Sequence, residues 1–184
     1  MTNAELLAKI KGQSAPAKSN GKEAPTRKLC IVASKGGLDM AYPPLILANA
    51  ARMSGIECDL FFTFWGLDII NRHKIDKIRI ASVGNPAFSM APYAPWFKIP
   101  TWMGAIPGMS RVATWMMERE IAKLDFPPIP EFVELIQDAG TNLYGCKMSM
   151  DMMQLTEEDL VDGASVLGAM EFLDLAEDAQ VMFV

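Results

Sequence analysis

Two short apolar runs on either side of one helical stretch constrain the fold more than any other feature of the chain. The runs are residues 29–34 and 58–65, and both are continuously apolar rather than alternating. Such runs are typical of strands that are covered on both faces. Between them, residues 38–54 have apolar side chains at helical spacing and are followed by Gly55, a common helix stop. A strand, a helix and a second strand in this order predict a right-handed crossover within a parallel sheet.

Two adjacent prolines, Pro43 and Pro44, interrupt the predicted helix over residues 38–54. A proline in a helix interior lacks the backbone N–H donor, and its ring clashes with the preceding turn. We therefore expect the prolines to lie in the first turn of this helix, or the helix to begin at them.

The rest of the chain continues the alternation of strands and helices. Helices are predicted over residues 110–124 and 130–139, and strands over residues 142–146, 164–167 and 180–184. Between the last two strands, one helical face is formed by Ala169, Phe172, Leu173 and Ala176. These elements predict an α/β fold, a three-layer α/β/α sandwich around a mainly parallel five-stranded sheet.

Length and composition indicate one domain that follows a tail. With 184 residues, of which 51% are hydrophobic, the chain can bury one sizeable core. Residues 12–26 are rich in Ser, Pro, Lys and Ala and have too few apolar side chains to order themselves. We predict a flexible tail and linker over residues 1–27 and a single domain over 28–184. Within it, residues 75–109 or so show neither the helical nor the strand periodicity of apolar side chains. We expect this segment to be an insertion that acts as a lid, an oligomer contact or sheet-edge cover.

Charge and hydropathy argue against several classes of protein. A net charge of −5 without a basic stripe in the folded part disfavours a nucleic-acid binder. No apolar run approaches the roughly 20 residues of a membrane-spanning helix, although residues 92–117 could contact a partner protein or a membrane surface. The first residues lack the apolar core of a secretion signal, and three cysteines do not make a disulfide framework. The expected location is therefore the cytoplasm, where thiols stay reduced.

Two loops follow predicted strands at the sheet edge where parallel α/β proteins bind ligands. The first is Ser34-Lys35-Gly36-Gly37. The backbone N–H groups of two glycines at the start of a helix can hold an anion. Because GxxxxGK[ST] and GxGxxG are both absent, a tight turn that requires glycine explains this loop more simply.

The second loop contains Cys146, which differs from the other two cysteines. Cys30 lies inside the first predicted strand, and Cys58 stands between two acidic residues that disfavour a thiolate. Cys146 ends a strand, precedes a helix start and has Lys147 beside it, which are conditions that lower the pKa of a thiol. From the residues alone, a reactive Cys146 and a buried structural one are equally open.

Familiar cysteine chemistries do not match the spacing of residues in this chain. There is no Cys-x-x-Cys, and no threonine stands three residues before any cysteine, as a peroxiredoxin site would require. The one histidine, His73, lies in a polar, surface-like stretch, which gives no basis for a zinc site or a cysteine–histidine protease. We expect no metal and no cofactor. What remains is a lone thiol that could carry another group.

Three stretches of the sequence carry a resemblance to a known family. They are CIVASKGG at 30–37, FFTFWGL at 61–67 and YGCKMSMD at 144–151. Over about residues 28–184, the chain resembles the DsrE/DsrF-like family, and most closely its larger DsrE-type members. These are often labelled peroxiredoxins, a label that the missing threonine does not support. One departure is Gln154, at a position where the family often has a small residue such as glycine.

The resemblance implies a parallel-sheet α/β fold, homo- or hetero-oligomers, and a cytoplasmic sulfur carrier or sulfurtransferase. It implies that Cys146 carries sulfane sulfur as a persulfide, supported by Lys147, Met148, Ser149 and Asp151. The implied exchange partners are rhodanese-like and TusA-like proteins. The alternative from a different class is a non-catalytic module that holds a nucleotide or another anion on the loop formed by Ser34, Lys35, Gly36 and Gly37.

The methionines that follow Cys146 are expected to provide apolar support for the thiol. They stand at positions 148, 150, 152 and 153. If this segment is helical, Met148 and Met152 share one face, and Met150 and Met153 share another. Methionine is soft and adaptable, so it can shield a bound sulfur. Packing against the sheet or against a second subunit would explain the same residues.

Overall fold

A computed structural model of the protein describes residues 27–81, 89–90, 94–98 and 108–184. Of the tail predicted over residues 1–27, all but Arg27 lies outside the described residues. Parts of the predicted insertion over 75–109 also lie outside them.

Strands and helices alternate along the described part of the chain. The strands are β1 (Lys28–Ala33), β2 (Glu57–Phe62), β3 (Ser89–Met90), β4 (Ala94–Lys98), β5 (Asn142–Cys146), β6 (Ala164–Leu167) and β7 (Gln180–Phe183). The helices are α1 (Leu38–Met53), α2 (Met109–Lys123), α3 (Ile129–Asp138), α4 (Lys147–Met152) and α5 (Ala169–Leu175). Short 3₁₀ segments span Phe64–Ile69, Ile75–Lys77 and Glu157–Asp159.

Five strands form one parallel sheet in the order β6-β5-β2-β1-β7. This topology confirms the predicted α/β fold with a parallel five-stranded sheet. The strands β3 and β4 form a separate antiparallel pair within the predicted insertion. The prediction for β2 was wrong at its end, because the strand stops at Phe62 and a 3₁₀ segment begins at Phe64.

One face of the sheet carries most of the core. Alternate side chains of the central strands point to this face, where α1, α3, α4 and the 64–69 segment pack against them. Its fully buried side chains include Ile31, Leu60, Phe62 and Leu143 from the sheet, and Leu45, Leu67, Ile136 and Met150 from the covering elements. Each such side chain contributes about 1.5–3 kcal/mol through burial.

The opposite face has a thinner cover and a buried charge. Phe172 of α5 stacks on Phe61 of β2, with ring centroids 4.4 Å apart. Beside this pair, the buried carboxylate of Asp59 accepts a hydrogen bond from the Asn142 amide at 2.7 Å and lies 3.2 Å from the ammonium of Lys28. These contacts compensate the carboxylate for its lost hydration.

Pro43 and Pro44 lie inside α1, which begins at Leu38, so the expectation for this helix start was wrong. The first turn is anchored by contacts from elsewhere in the chain. The N–H of Leu38 donates to the carbonyl of Arg79 at 3.2 Å, and both Leu38 and Pro44 are buried. Packing therefore stabilises a turn that local backbone preference disfavours.

Replacing Asp59 with alanine should destabilise the fold strongly. The Asp59→Ala variant removes the partner that Lys28 and Asn142 share, and the loss of hydrogen bonds to a buried charged group costs about 1.5–3 kcal/mol. Urea unfolding measures this loss. The control is Glu120→Ala, which breaks an exposed pair with Lys123 and should cost under about 1 kcal/mol. Equal losses for the two variants would contradict a stabilising role for the buried pair.

Replacing Gln154 with glycine should stabilise the fold. Gln154 has φ 56°, a left-handed conformation that costs a side-chain-bearing residue about 1–2 kcal/mol. A glycine relieves this cost and loses about 0.4–1 kcal/mol through the greater freedom of the unfolded chain. We expect a net gain of up to about 1 kcal/mol in urea unfolding. The control Gln154→Ala keeps the positive φ and should bring no gain.

Candidate functional site

The carboxyl ends of β2 and β5 bring two polar side chains together. The strands pair in parallel with Phe62 opposite Gly145, so the next residues, Thr63 and Cys146, leave the sheet side by side. On the other side of β5, Cys146 lies opposite Leu167, the last residue of β6. Parallel pairing therefore places the cysteine among three strand ends at the edge where such sheets bind ligands.

The thiol of Cys146 is half-buried and surrounded by neutral hydrogen-bond donors. Its burial raises the pKa of the thiol, but hydrogen bonds act in the opposite direction and prevail. They come from the hydroxyl and N–H of Ser149, the hydroxyl of Thr63 and the N–H of Met148, and they lower the pKa of Cys146 below its ordinary value. The two hydroxyls also hydrogen-bond to each other, with 3.0 Å between their oxygens. This arrangement favours the thiolate, which is the nucleophilic form.

The other two thiols are held in the protonated form. Burial, with the nearby Asp59 charge as a second cause, raises the pKa of Cys30 and raises that of Cys58 to about 12. Both side chains are buried in the sheet. Among the three cysteines, only Cys146 therefore combines access with a favoured thiolate.

Lys147 and Asp151, predicted as supporting residues, pair with each other one turn apart on α4. The ammonium of Lys147 lies 2.5 Å from the Asp151 carboxylate, and both side chains are exposed. The groups that lower the pKa of Cys146 are hydroxyls and backbone N–H groups, and Lys147 is not among them. Ser149, also predicted as supporting, is buried against the thiol.

The methionines of α4 divide between its two faces as their spacing predicts. Met148 and Met152 are exposed, whereas Met150 is buried and Met153 is half-buried. Met150 packs beneath the strand that carries the thiol, since a Cβ added at Gly145 would lie 3.0 Å from the Met150 sulfur. Met150 is thus part of the core, and Met148 and Met152 form an outer surface beside Cys146.

The loop over residues 34–37 packs tightly against the turn that follows β2. A Cβ added at Gly36 would lie 2.2 Å from the carbonyl oxygen of Trp65, and one at Gly66 would lie 2.1 Å from that of Ala33. Close backbone approach therefore accounts for both glycines. Ser34 donates its N–H and hydroxyl to the carbonyl of Val184, at 3.1 and 3.2 Å. These contacts use donors that an anion on this loop would need.

Thr63 is the site residue that sequence reasoning missed. The apolar run over residues 58–65 predicts a single strand, which would put Thr63 inside the strand. A signal was present, because Thr63 is the single hydroxyl residue in the stretch FFTFWGL. Its position becomes informative only when β2 is known to neighbour β5.

A cleft of about 510 Å³ lies between α1, α2 and α3, where it is lined by Tyr42, Phe126 and Ile129 among others. Cys146 is not part of this cleft. The residues that the structure describes contain no group of three potential metal ligands. No helix among them is long and apolar enough to cross a membrane.

A family model and two relatives match most of the chain. A model of the DsrE/DsrF/DrsH-like family matches residues 25–184. The chain is 35% identical over 157 residues to "Sulfur carrier protein DsrE2" of Allochromatium vinosum, covering 84% of this chain and 96% of that protein. It is 26% identical over 157 residues to "Uncharacterized protein YrkE" of Bacillus subtilis, covering 85% and 95%. The crystal structure of the ychN protein from E. coli aligns with a TM-score of 0.49 and 12% identity, covering 86% and 99%.

Removing either hydroxyl beside Cys146 should make its thiol less reactive. Thr63→Val and Ser149→Ala each delete a donor to the sulfur, so the pKa of Cys146 should rise in both variants. The rate of alkylation by iodoacetamide, measured against pH, should then have its midpoint at higher pH than in the unchanged protein.

The matched control for these variants is Thr141→Val. Thr141 stands at the opposite end of β5, and its buried hydroxyl has no hydrogen-bond partner in the described part of the chain. This variant should leave the alkylation midpoint where it is. An unchanged midpoint in both Thr63→Val and Ser149→Ala would show that the hydroxyls do not stabilise the thiolate.

Proposed function

The chain belongs to the DsrE/DsrF/DrsH-like family, and from that premise we propose that it is a sulfur carrier that holds sulfane sulfur on Cys146. The relative named as a sulfur carrier aligns over 96% of its length. The observation that carries the proposal is the half-buried Cys146 thiol, whose pKa is lowered by hydrogen bonds from Ser149, Thr63 and Met148.

The proposed reaction needs one thiolate and consumes no oxidant or reductant. The Cys146 thiolate attacks the outer sulfur of a donor persulfide, R–S–SH. A sulfur–sulfur bond to Cys146 forms as the bond between the two donor sulfurs breaks, and the donor leaves as the thiolate R–S⁻. Cys146 then bears S–SH, and the total charge is unchanged.

Release of the sulfur repeats the same step with the roles exchanged. An acceptor thiolate attacks the outer sulfur, and Cys146 leaves as a thiolate. A thiol with a lowered pKa is a better leaving group, so the hydrogen bonds from Thr63 and Ser149 assist this half of the reaction as well. A second cysteine in the same chain is not required.

The partners in this proposal are other proteins of sulfur transfer. Rhodanese-like and TusA-like proteins are the proposed donors and acceptors, and the reducing cytoplasm is the proposed compartment. The carrier domain would span residues 28–184, with an insertion over about 75–109, and would assemble as an oligomer. The protein counts as a sulfurtransferase if it releases sulfur to acceptors catalytically.

The alternative is a non-catalytic module that holds an anion on the loop over residues 34–37. The backbone packs tightly at the glycines of this loop, and Ser34 already donates its N–H and hydroxyl to Val184. Less space and fewer free donors therefore remain for an anion. Nucleotides that raise the thermal stability of the protein, in a thiol-independent manner, would favour this alternative.

Incubation with inorganic polysulfide should add one sulfur atom to Cys146. Intact-protein mass spectrometry should detect the gain, and a reductant should remove it. The Cys146→Ser variant should gain nothing. Cys30→Ala and Cys58→Ala are the controls, and both should load like the unchanged protein because their thiols are buried and protonated. Loading that persists in Cys146→Ser would contradict the assignment of Cys146.

A further inference from the structure

Four large apolar side chains are exposed around the half-buried thiol. Phe64 is 52% exposed and Trp65 63%, and both follow Thr63 directly in the chain. On α4, Met148 is 73% exposed and Met152 59%. The helix α4 packs against the 64–69 segment, so the two pairs of exposed side chains stand on neighbouring elements. We call them the apolar rim. An apolar cluster exposed to water beside a reactive group is typical of a surface that binds another protein.

The backbone at Phe64 is strained in a way that turns its ring outward. Its φ is 47°, a left-handed conformation that a bulky residue rarely adopts. Such outliers persist where the surrounding structure enforces them, and they concentrate at functional sites. The residue directly before it is Thr63, whose hydroxyl is one of the groups that lower the pKa of the thiol.

Backbone contacts on both sides hold this strained turn in place. Gly36 lies against the carbonyl of Trp65, and Gly66 lies against the carbonyl of Ala33, at distances that admit no side chain. The N–H of Thr63 also donates to the carbonyl of Ala33 at 2.9 Å. The rings of Phe64 and Trp65 are therefore carried on a fixed turn, and a surface that is already ordered loses less entropy when a partner binds.

The part of the chain that follows Cys146 is acidic, although its turn at 157–159 also contacts the exposed Arg72 and His73. Residues 148–184 contain nine acidic residues and no Lys or Arg, and the charge of Lys147 is paired with Asp151. Glu157 and Glu158 are exposed in the turn after α4. Glu171 is exposed one turn after β6, whose last residue lies opposite Cys146. The neighbouring loop adds one exposed basic residue, at position 35.

We propose, as an extension of the proposed carrier function, that the apolar rim and the acidic residues beside it dock a partner protein whose reactive cysteine is surrounded by basic residues. Phe64 and Trp65 are the apolar anchors of this contact. Glu157, Glu158 and Glu171 attract the partner and exclude carriers with an acidic surface. Because the thiol is half-buried, a partner must seat closely before its outer sulfur reaches Cys146.

Two synthetic peptides provide defined probes of this surface. Each carries one cysteine persulfide beside leucine residues, and the flanking charges are lysines in one peptide and glutamates in the other. Mass spectrometry follows sulfur transfer from each peptide to Cys146 of the full chain. Inorganic polysulfide, which needs no docking, gives the reference rate. We expect the lysine peptide to transfer about tenfold faster than the glutamate peptide at low salt, with the difference shrinking as salt increases.

Variants at the anchors separate docking from the chemistry of the thiol. In Trp65→Ala and Phe64→Gly, the ratio of the lysine-peptide rate to the polysulfide rate should fall about tenfold, as for a central interface aromatic. Glycine accepts the left-handed backbone at position 64, so Phe64→Gly retains the fold. The control Trp115→Ala removes a tryptophan that is 58% exposed on α2 and should leave the ratio unchanged. A double variant that carries Glu157→Lys and Glu158→Lys should reduce the difference in transfer rate between the lysine peptide and the glutamate peptide.

The outcomes distinguish this proposal from the carrier function on which it rests. If polysulfide does not load Cys146 in the unchanged protein, the carrier function fails. If polysulfide loads Cys146 but the two peptides transfer at equal rates, the docking proposal alone is overturned. It is also overturned if Trp65→Ala changes the oligomeric state in analytical ultracentrifugation, because the apolar rim would then be a contact with a second copy of the chain.

Discussion

The parallel register between β2 and β5 is the constraint on which the site depends. Phe62 lies opposite Gly145, and this pairing makes Thr63 the neighbour of Cys146. A shift of one residue would turn each side chain of β2 to the other face of the sheet, moving Phe62 out of the core and the Thr63 hydroxyl away from the sulfur. The same burial that stabilises the fold therefore also fixes the position of one of the residues that lower the pKa of the Cys146 thiol.

The thiol is tuned by neutral groups instead of a fixed positive charge. Hydroxyls and backbone N–H groups lower the pKa of Cys146 against the effect of burial, while the nearest lysine in the sequence is paired with Asp151. Within the same sheet, burial raises the pKa of Cys30 and Cys58. Hydrogen-bond donors at a strand end thus distinguish one thiol from two others of the same chain, and they do so without adding a charge to the site.

The strands and helices were largely predictable from the sequence, because their apolar periodicity reflects which faces are buried. The strand over 142–146 and the strand over 164–167 have the predicted bounds. The end of β2 was missed because Phe64 and Trp65 are apolar in type but exposed in the fold. No local sequence pattern indicates the close backbone contact at Gly36. The same holds for the tertiary contacts that anchor the first turn of α1, before Pro43. Thr63 was missed for a related reason, since its role depends on which strand lies beside β2.

Function explains the exposure of Phe64 and Trp65 better than folding does. Folding alone favours burying aromatic rings and avoiding left-handed backbone at a bulky residue, and both preferences are violated at the residue next to Thr63. In the proposed carrier function, Cys146 receives sulfur from one protein and passes it to another, so the chain would need a surface that recognises such proteins. Sequences break local rules mainly where function requires it. The turn after β2 combines both features, because Thr63 helps to lower the pKa of the thiol and the next two residues are exposed to solvent.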